Sequence, residues 1–197
     1  MRDSQSGGFS PEEGLVREDK EKKPGKIYVE IGSGGNPAFF VSKKALNPGD
    51  KYFVVDFNPD DHKISNVFGK MHFGEAYEAV FANGKALPFE NDSADEIIFS
   101  NVFGDPKTFG RDKLLMEAAR VLKPDGGQII ITEHITPADF VKEIGGTKED
   151  ITQFLSKHGI PLKVKKISRE EADAEDYIGQ ADVRLLKGTP IQVILER

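Results

Sequence analysis

From residue 26 onward the apolar positions fall in short, nearly unbroken runs, "IYVEI", "YFVV" and "IIIT", separated by polar stretches of helix-like composition. A strand with one wet face alternates apolar and polar residues, whereas continuous runs fit strands covered on both faces, as in a parallel sheet. The pattern predicts strands over Ile27–Ile31, Tyr52–Asp56, Ala79–Ala82, Glu96–Ser100, Gln128–Thr132, Lys163–Ile167 and Ile191–Leu195. The clearest helix is "RDKLLMEAARVL", where Leu114, Ala118, Val121 and Leu122 make one apolar face. "KPDGG" stops it. Weaker helices are expected in "AFFVSKKAL" and in "TKEDITQFLSKHG", with Thr147 as cap and Gly159 as terminator.

Strand and helix repeated in this order imply an α/β fold: a doubly wound, mostly parallel seven-stranded sheet with right-handed crossovers. The last two strands are different. Residues 168–190 contain "REEADAEDY" and no long apolar helix, so a C-terminal antiparallel strand pair is expected. Residues 1–25 are polar, with Phe9, Leu15 and Val16 as the only large apolar side chains after Met1, and read as an arm or cap. "SPEE" there can open a short helix, with Ser10 capping, Pro11 at its first position and Glu13 at its third. Residues 26–197 then form one domain, of a size that one core can serve.

Composition removes several function classes. The chain has 27 Lys plus Arg against 33 Asp plus Glu, a net charge of -6, and no basic stripe, which disfavours a nucleic-acid partner. With no cysteine there is no disulfide, thiolate nucleophile or Cys-bound zinc. His62, His72, His134 and His158 have no ligand spacing, so no metal is expected. No apolar run reaches the roughly 18 residues of a membrane span, and the N-terminus lacks a signal-peptide core, so no membrane partner and a cytoplasmic location are the expectation.

The chemistry concentrates at "YVEIGSGGNPA", where a strand runs into glycines. In an open α/β sheet, ligands bind beyond the carboxyl ends of the strands where strand order reverses. Gly32, Gly34 and Gly35 permit a tight turn there. Asp56 ends "YFVVD" close to the offset of about 20 residues at which a carboxylate meets a ribose diol. Two ligand classes fit badly. The third glycine of a dinucleotide fingerprint is replaced by Pro37, and no "GK[ST]" follows to make a phosphate loop.

Together, "VEIGSGG", "VVD", "ANGKALPFENDSADEIIFSNV" and "LLMEAARVLKPDGGQIIITE" resemble a class I S-adenosylmethionine-dependent methyltransferase over Lys26 to Glu133. The resemblance implies S-adenosylmethionine as cofactor and S-adenosylhomocysteine as product. It implies that Glu30, Gly32, Ser33 and Gly34 underlie the methionyl and ribose part. Asp56, with Phe57 beside it, would bind the ribose hydroxyls; Asn83 and Gly84 would contact adenine. Ser100, Asn101, Val102 and Phe103 would pass beside the transferable methyl. Two positions depart from the family: Asn83 stands where an Asp is common, and Asn36-Pro37 replace the last glycine of the loop. An Asn carbonyl still accepts a hydrogen bond, and Asn and Pro suit the turn and the first helical turn.

Methyl transfer from a sulfonium needs alignment rather than an obligatory base, and alignment is worth roughly 7 to 11 kcal/mol. The candidate bases by type and position are His134 and Asp105, each with a turn or packing role as the rival reading. Phe39 and Phe40 read as core, and Phe103 as the aromatic nearest the sulfonium, where it can make a cation-π contact. The segments 57–78 and 134–146 read as small additions to the core. The acceptor is then a small molecule or a side chain of a protein partner, with the oligomeric state open. The alternatives are a non-catalytic module of the same fold and, as a minor one, a nicotinamide-dependent oxidoreductase.

Overall fold

The structure is a computed structural model that describes residues 24–34, 46–133, 137–168 and 191–197. Seven strands form one sheet: β1 (Ile27–Ile31), β2 (Lys51–Asp56), β3 (Tyr77–Phe81), β4 (Glu96–Ser100), β5 (Gln128–Glu133), β6 (Lys163–Ser168) and β7 (Ile191–Glu196). Their spatial order is β3-β2-β1-β4-β5-β7-β6. The first five pair in parallel, while β7 runs antiparallel to both β5 and β6. The expected fold class is therefore the observed one, with β7 inserted between β5 and β6. Predicted and observed strands coincide within one or two residues at each end.

The sheet's two faces have different chemistry because side chains alternate along each strand. Val29, Ile31, Ile97, Phe99, Ile129 and Ile131 belong to the larger core, into which α2 (Arg111–Val121) sends Leu114, Leu115, Ala118, Ala119 and Val121. Each large apolar side chain fully removed from water contributes about 1.5–3 kcal/mol. The other core is small and tyrosine-rich: Tyr28, Tyr52, Val54, Tyr77 and Ile98, with Phe73 packed against it. Helix α4 (Lys148–Lys157) has the expected Thr147 cap, completed by Asp150 as a capping box, and Gly159 follows it at φ 64°.

Segment 57–78, expected as an addition, is part of the crossover between β2 and β3. It holds α1 (Pro59–Phe73), capped by Asn58. The helix escapes periodicity analysis because its inward positions are Ser65 and Gly69, whereas Ile64, Val67, Phe68 and Met71 face outward. An apolar-inside template points such a helix the wrong way. Segment 134–146 likewise includes the short α3 (Pro137–Glu143), anchored by the buried Phe140. The predicted helix at 38–46 (save Leu46), the predicted cap at Ser10 and the connection 169–190 lie outside the described residues.

Gly69 is where α1 meets the tyrosine core. A Cβ there would lie 2.0 Å from the Tyr77 ring, whose hydroxyl donates to the Ser65 carbonyl at 2.8 Å and lies 2.5 Å from its Oγ. Gly69→Ala therefore gains helix propensity but overpacks the ring. We expect a net loss of about 1–3 kcal/mol, read as a lower urea midpoint at unchanged slope. An unchanged or higher midpoint would show that Tyr77 has room to move.

Candidate cofactor site

Strand order reverses between β1 and β4, since the chain builds outward from β1 on both sides, and the glycine loop leaves β1 at that point. Gly32 donates its N–H to the Val55 carbonyl at 2.9 Å, fixing the loop to the end of β2. Its φ is 73°, and a Cβ added to it would lie 2.9 Å from Val102 Cγ2, so a side chain here would strain the backbone and have to push the Val102 side chain aside. Gly34 is exposed, also at positive φ, and nothing stands within 4 Å of where its Cβ would be. The loop is thus closed toward the protein at Gly32 and open outward at Gly34.

Asp56 sits at the end of β2, 6% exposed. Its Oδ2 accepts from Gly34 N at 3.3 Å and its Oδ1 from Asn58 N at 2.8 Å. A carboxylate has about four lone-pair directions, so two remain for a ligand. Phe57, next in the chain, is 75% exposed beside it. Asn83 turns the chain after β3, its Oδ1 accepting from Lys85 N at 2.9 Å. Gly84 is buried against Ile31 and Leu114. Arg120 fastens this 83–91 loop to α2: its guanidinium donates to the Leu87 and Phe89 carbonyls and to Glu117, which in turn accepts from Leu87 N. Those bonds to Arg120 hold the Glu117 carboxyl below the usual carboxylate range.

After Ser100, Asn101 adopts φ 55° and donates its N–H to the Thr132 carbonyl at 2.8 Å. Asn is among the few residues that tolerate this left-handed geometry, and such positions gather at functional sites. The following loop is gripped on both sides. Glu133, at the end of β5, accepts from Phe103 N at 2.7 Å, with Val102 and Gly104 N–H groups also directed to it. Arg111 donates from Nε to the Phe103 carbonyl at 2.6 Å and from Nη2 to the Asp105 carbonyl at 3.0 Å. Motif reasoning assigns Glu133 no role of its own. A carboxylate closing an apolar run of a two-sided sheet is the signal that marks it.

Three buried side-chain oxygens have no hydrogen-bond partner among the described residues: Glu30 Oε1, Ser33 Oγ and Glu133 Oε2. Such groups are costly unless something satisfies them. Ser33 lies within the glycine loop. Glu30, on β1, faces the tyrosine core, where its other oxygen accepts the Tyr52 hydroxyl. Burial pushes its carboxyl up to about 8, and that of Glu133 up to about 7.

One expectation changes. The Phe103 ring is fully buried between Phe99 and Phe140, with centroids 4.8 and 6.5 Å away, so it packs in the core and a cation-π role is not what its placement offers. Only its backbone borders the loop. Asp105 Oδ1 accepts from Lys107 N at 2.8 Å, closing a turn. This is the turn role that competed with a catalytic one. His134, Gly35, Asn36, Pro37, Phe39 and Phe40 lie outside the described residues. Among the described residues no group of three His, Asp or Glu side chains could hold a metal, and no helix is long and apolar enough to cross a membrane.

A family model for ubiE/COQ5 methyltransferases matches residues 13–145, more than half of the chain. The chain belongs to the ubiE/COQ5 methyltransferase family. It is 28% identical over 118 residues to a ubiquinone/menaquinone biosynthesis C-methyltransferase from Hahella chejuensis, covering 59% of this chain and 46% of that protein. It is 29% identical over 150 residues to an uncharacterized methyltransferase of Mycobacterium tuberculosis, covering 73% and 55%. It therefore spans about half the length of these curated relatives. Among solved structures, a SAM-dependent methyltransferase from Aquifex aeolicus superposes with a TM-score of 0.63 at 14% identity, covering 88% and 82% of the two chains. The resemblance in the motifs thus extends to family and fold.

Proposed function

We propose that this chain binds S-adenosylmethionine at the carboxyl ends of β1, β2 and β4 and transfers its methyl group to an acceptor. The observation that carries this is a buried carboxylate, Asp56, with free acceptor capacity at the strand-order reversal, beside the unpartnered Ser33 Oγ. A vicinal diol suits Asp56, and a carboxylate or ammonium of the methionyl part suits Ser33. The missing "GK[ST]" argues against a phosphate in this loop. Family membership supports the same ligand.

Bound there, the cofactor supplies an activated methyl group for in-line displacement by the acceptor's nucleophile, leaving S-adenosylhomocysteine. The protein's part is alignment. Gly32 and Gly34 let the loop approach closely, Asp56 and Asn83 fix the two ends of the nucleoside, and Glu133 with Arg111 fixes the loop 101–105 that borders the reacting end. The proton that a ring carbon gives up on methylation can pass to water at the acceptor end, so alignment does not oblige this chain to supply a base. We read residues 26–197 as the domain that does this, with 1–25 as an arm.

For the acceptor we place first a ring carbon of a quinone precursor, because relatives named for ubiquinone and menaquinone biosynthesis support carbon methylation. The test is release of S-adenosylhomocysteine by the purified chain with hydroquinone-type rings, and with amines and carboxylic acids as comparators. Turnover with the rings alone is expected. Turnover with amines alone would overturn the acceptor class and leave the cofactor assignment standing.

A further inference from the structure

Holding the loop 101–105 in place uses only part of Glu133. One oxygen accepts from Phe103 N at 2.7 Å, with the Val102 and Gly104 N–H groups also directed to the carboxyl, while Oε2 is buried with no partner among the described residues. Three successive N–H groups on one carboxyl make a backbone nest, which favours an anion. Burial opposes this and prevails, pushing the carboxyl up to about 7. The charged groups that face it among the described residues are already engaged. Arg111 of α2 donates to the Phe103 and Asp105 carbonyls and lies 3.7 Å from Glu143 of α3, and Asp105 closes its own turn. On the β7 side Glu133 pairs with Ile191, which carries no charge. The carboxyl thus stands between its two forms, and one further positive charge close by favours the ionised one.

The cradle after β1 is where such a charge arrives. Val102 Cγ2 stands 2.9 Å from where a Cβ on Gly32 would be, so the Val102 side chain packs on the cradle while its N–H is directed to Glu133. Val102 therefore bridges the cradle and the carboxyl. We propose that Glu133 is a specificity-determining residue that distinguishes S-adenosylmethionine from S-adenosylhomocysteine by charge. The sulfonium draws the carboxyl into its ionised form, its proton passing to solvent, and the neutral thioether does not. This inference rests on the cofactor reading above. When the methyl group leaves, the positive charge goes with the sulfonium, the carboxyl takes a proton back from solvent, and the attraction ends. The product is then held less tightly than the cofactor.

Calorimetry of the full chain at about pH 6.5, in buffers of different ionisation enthalpy, counts the protons released as each ligand binds. The ammonium groups of both ligands are charged at that pH. S-adenosylmethionine is expected to release roughly half a proton more than S-adenosylhomocysteine from the native chain, and no more than it from Glu133→Gln. At about pH 8 the variant should bind S-adenosylmethionine about tenfold more weakly than the native chain does, and S-adenosylhomocysteine equally well, which shows an intact site. Equal proton release by the two ligands from the native chain would overturn the inference and leave the cofactor reading standing, and this arm needs no variant. An excess that survives Glu133→Gln would place the titration elsewhere, at His134 for one, and would overturn the inference too. Binding of neither ligand would overturn the cofactor reading and the inference with it.

Discussion

Asp56→Ala is expected to weaken S-adenosylmethionine binding by about 100-fold or more, since each hydrogen bond to a charged acceptor is worth roughly 1.5–3 kcal/mol and a diol makes two. The same change releases Gly34 N and Asn58 N, the two donors that tie the glycine loop and the start of α1 to this carboxylate. Loss of preformed geometry adds to loss of contact. Asp56→Asn separates the two contributions, because an amide oxygen can still accept from one donor while the charge is gone. Its affinity should fall between those of the native chain and the alanine variant. Calorimetric titration reads all three, and equal affinities would remove Asp56 from the ribose site.

The second large effect is on stability against pH. Glu133 carries a folded value of about 7 against 4.5 for a free glutamate. A raised value means that the native state holds the proton more tightly than the unfolded chain. The stability this contributes is complete below pH 4.5 and is lost as pH rises through 7, by about 3 kcal/mol. Glu30, at about 8, acts in the same direction and extends the loss to higher pH. Glu133→Gln keeps an oxygen for Phe103 N and removes the titration. Between pH 5 and 7.5 its urea midpoint should therefore fall less than that of the native chain. Parallel profiles for the two proteins would mean that Glu133 is ionised throughout, held so by its three backbone donors.

The sheet was legible in the sequence because its strands are buried on both faces, and a run such as "IIIT" can then hardly be anything else. The glycine loop and Asp56 were legible because their spacing follows from where two neighbouring parallel strands end. What escaped was written in contacts between distant residues. Gly69 and Ser65 reveal an inward helical face only once Tyr77 stands against them. Glu133 reveals a role only once β4 and β5 pair in register, Ser100 beside Thr132, and the next loop turns its N–H groups toward it. Phe103 shows the converse: it stands in the loop after β4 as the motif has it, but whether a ring there points outward or into the core depends on the turn at Asn101.

The central claim is that the cradle after β1 holds a sulfonium nucleoside and not a dinucleotide. Calorimetry of the full chain against S-adenosylmethionine, S-adenosylhomocysteine and NAD tests it most directly. Saturable binding of the first two at one site, with no heat from NAD, is the predicted result; tight NAD binding with no response to either sulfur ligand would contradict it.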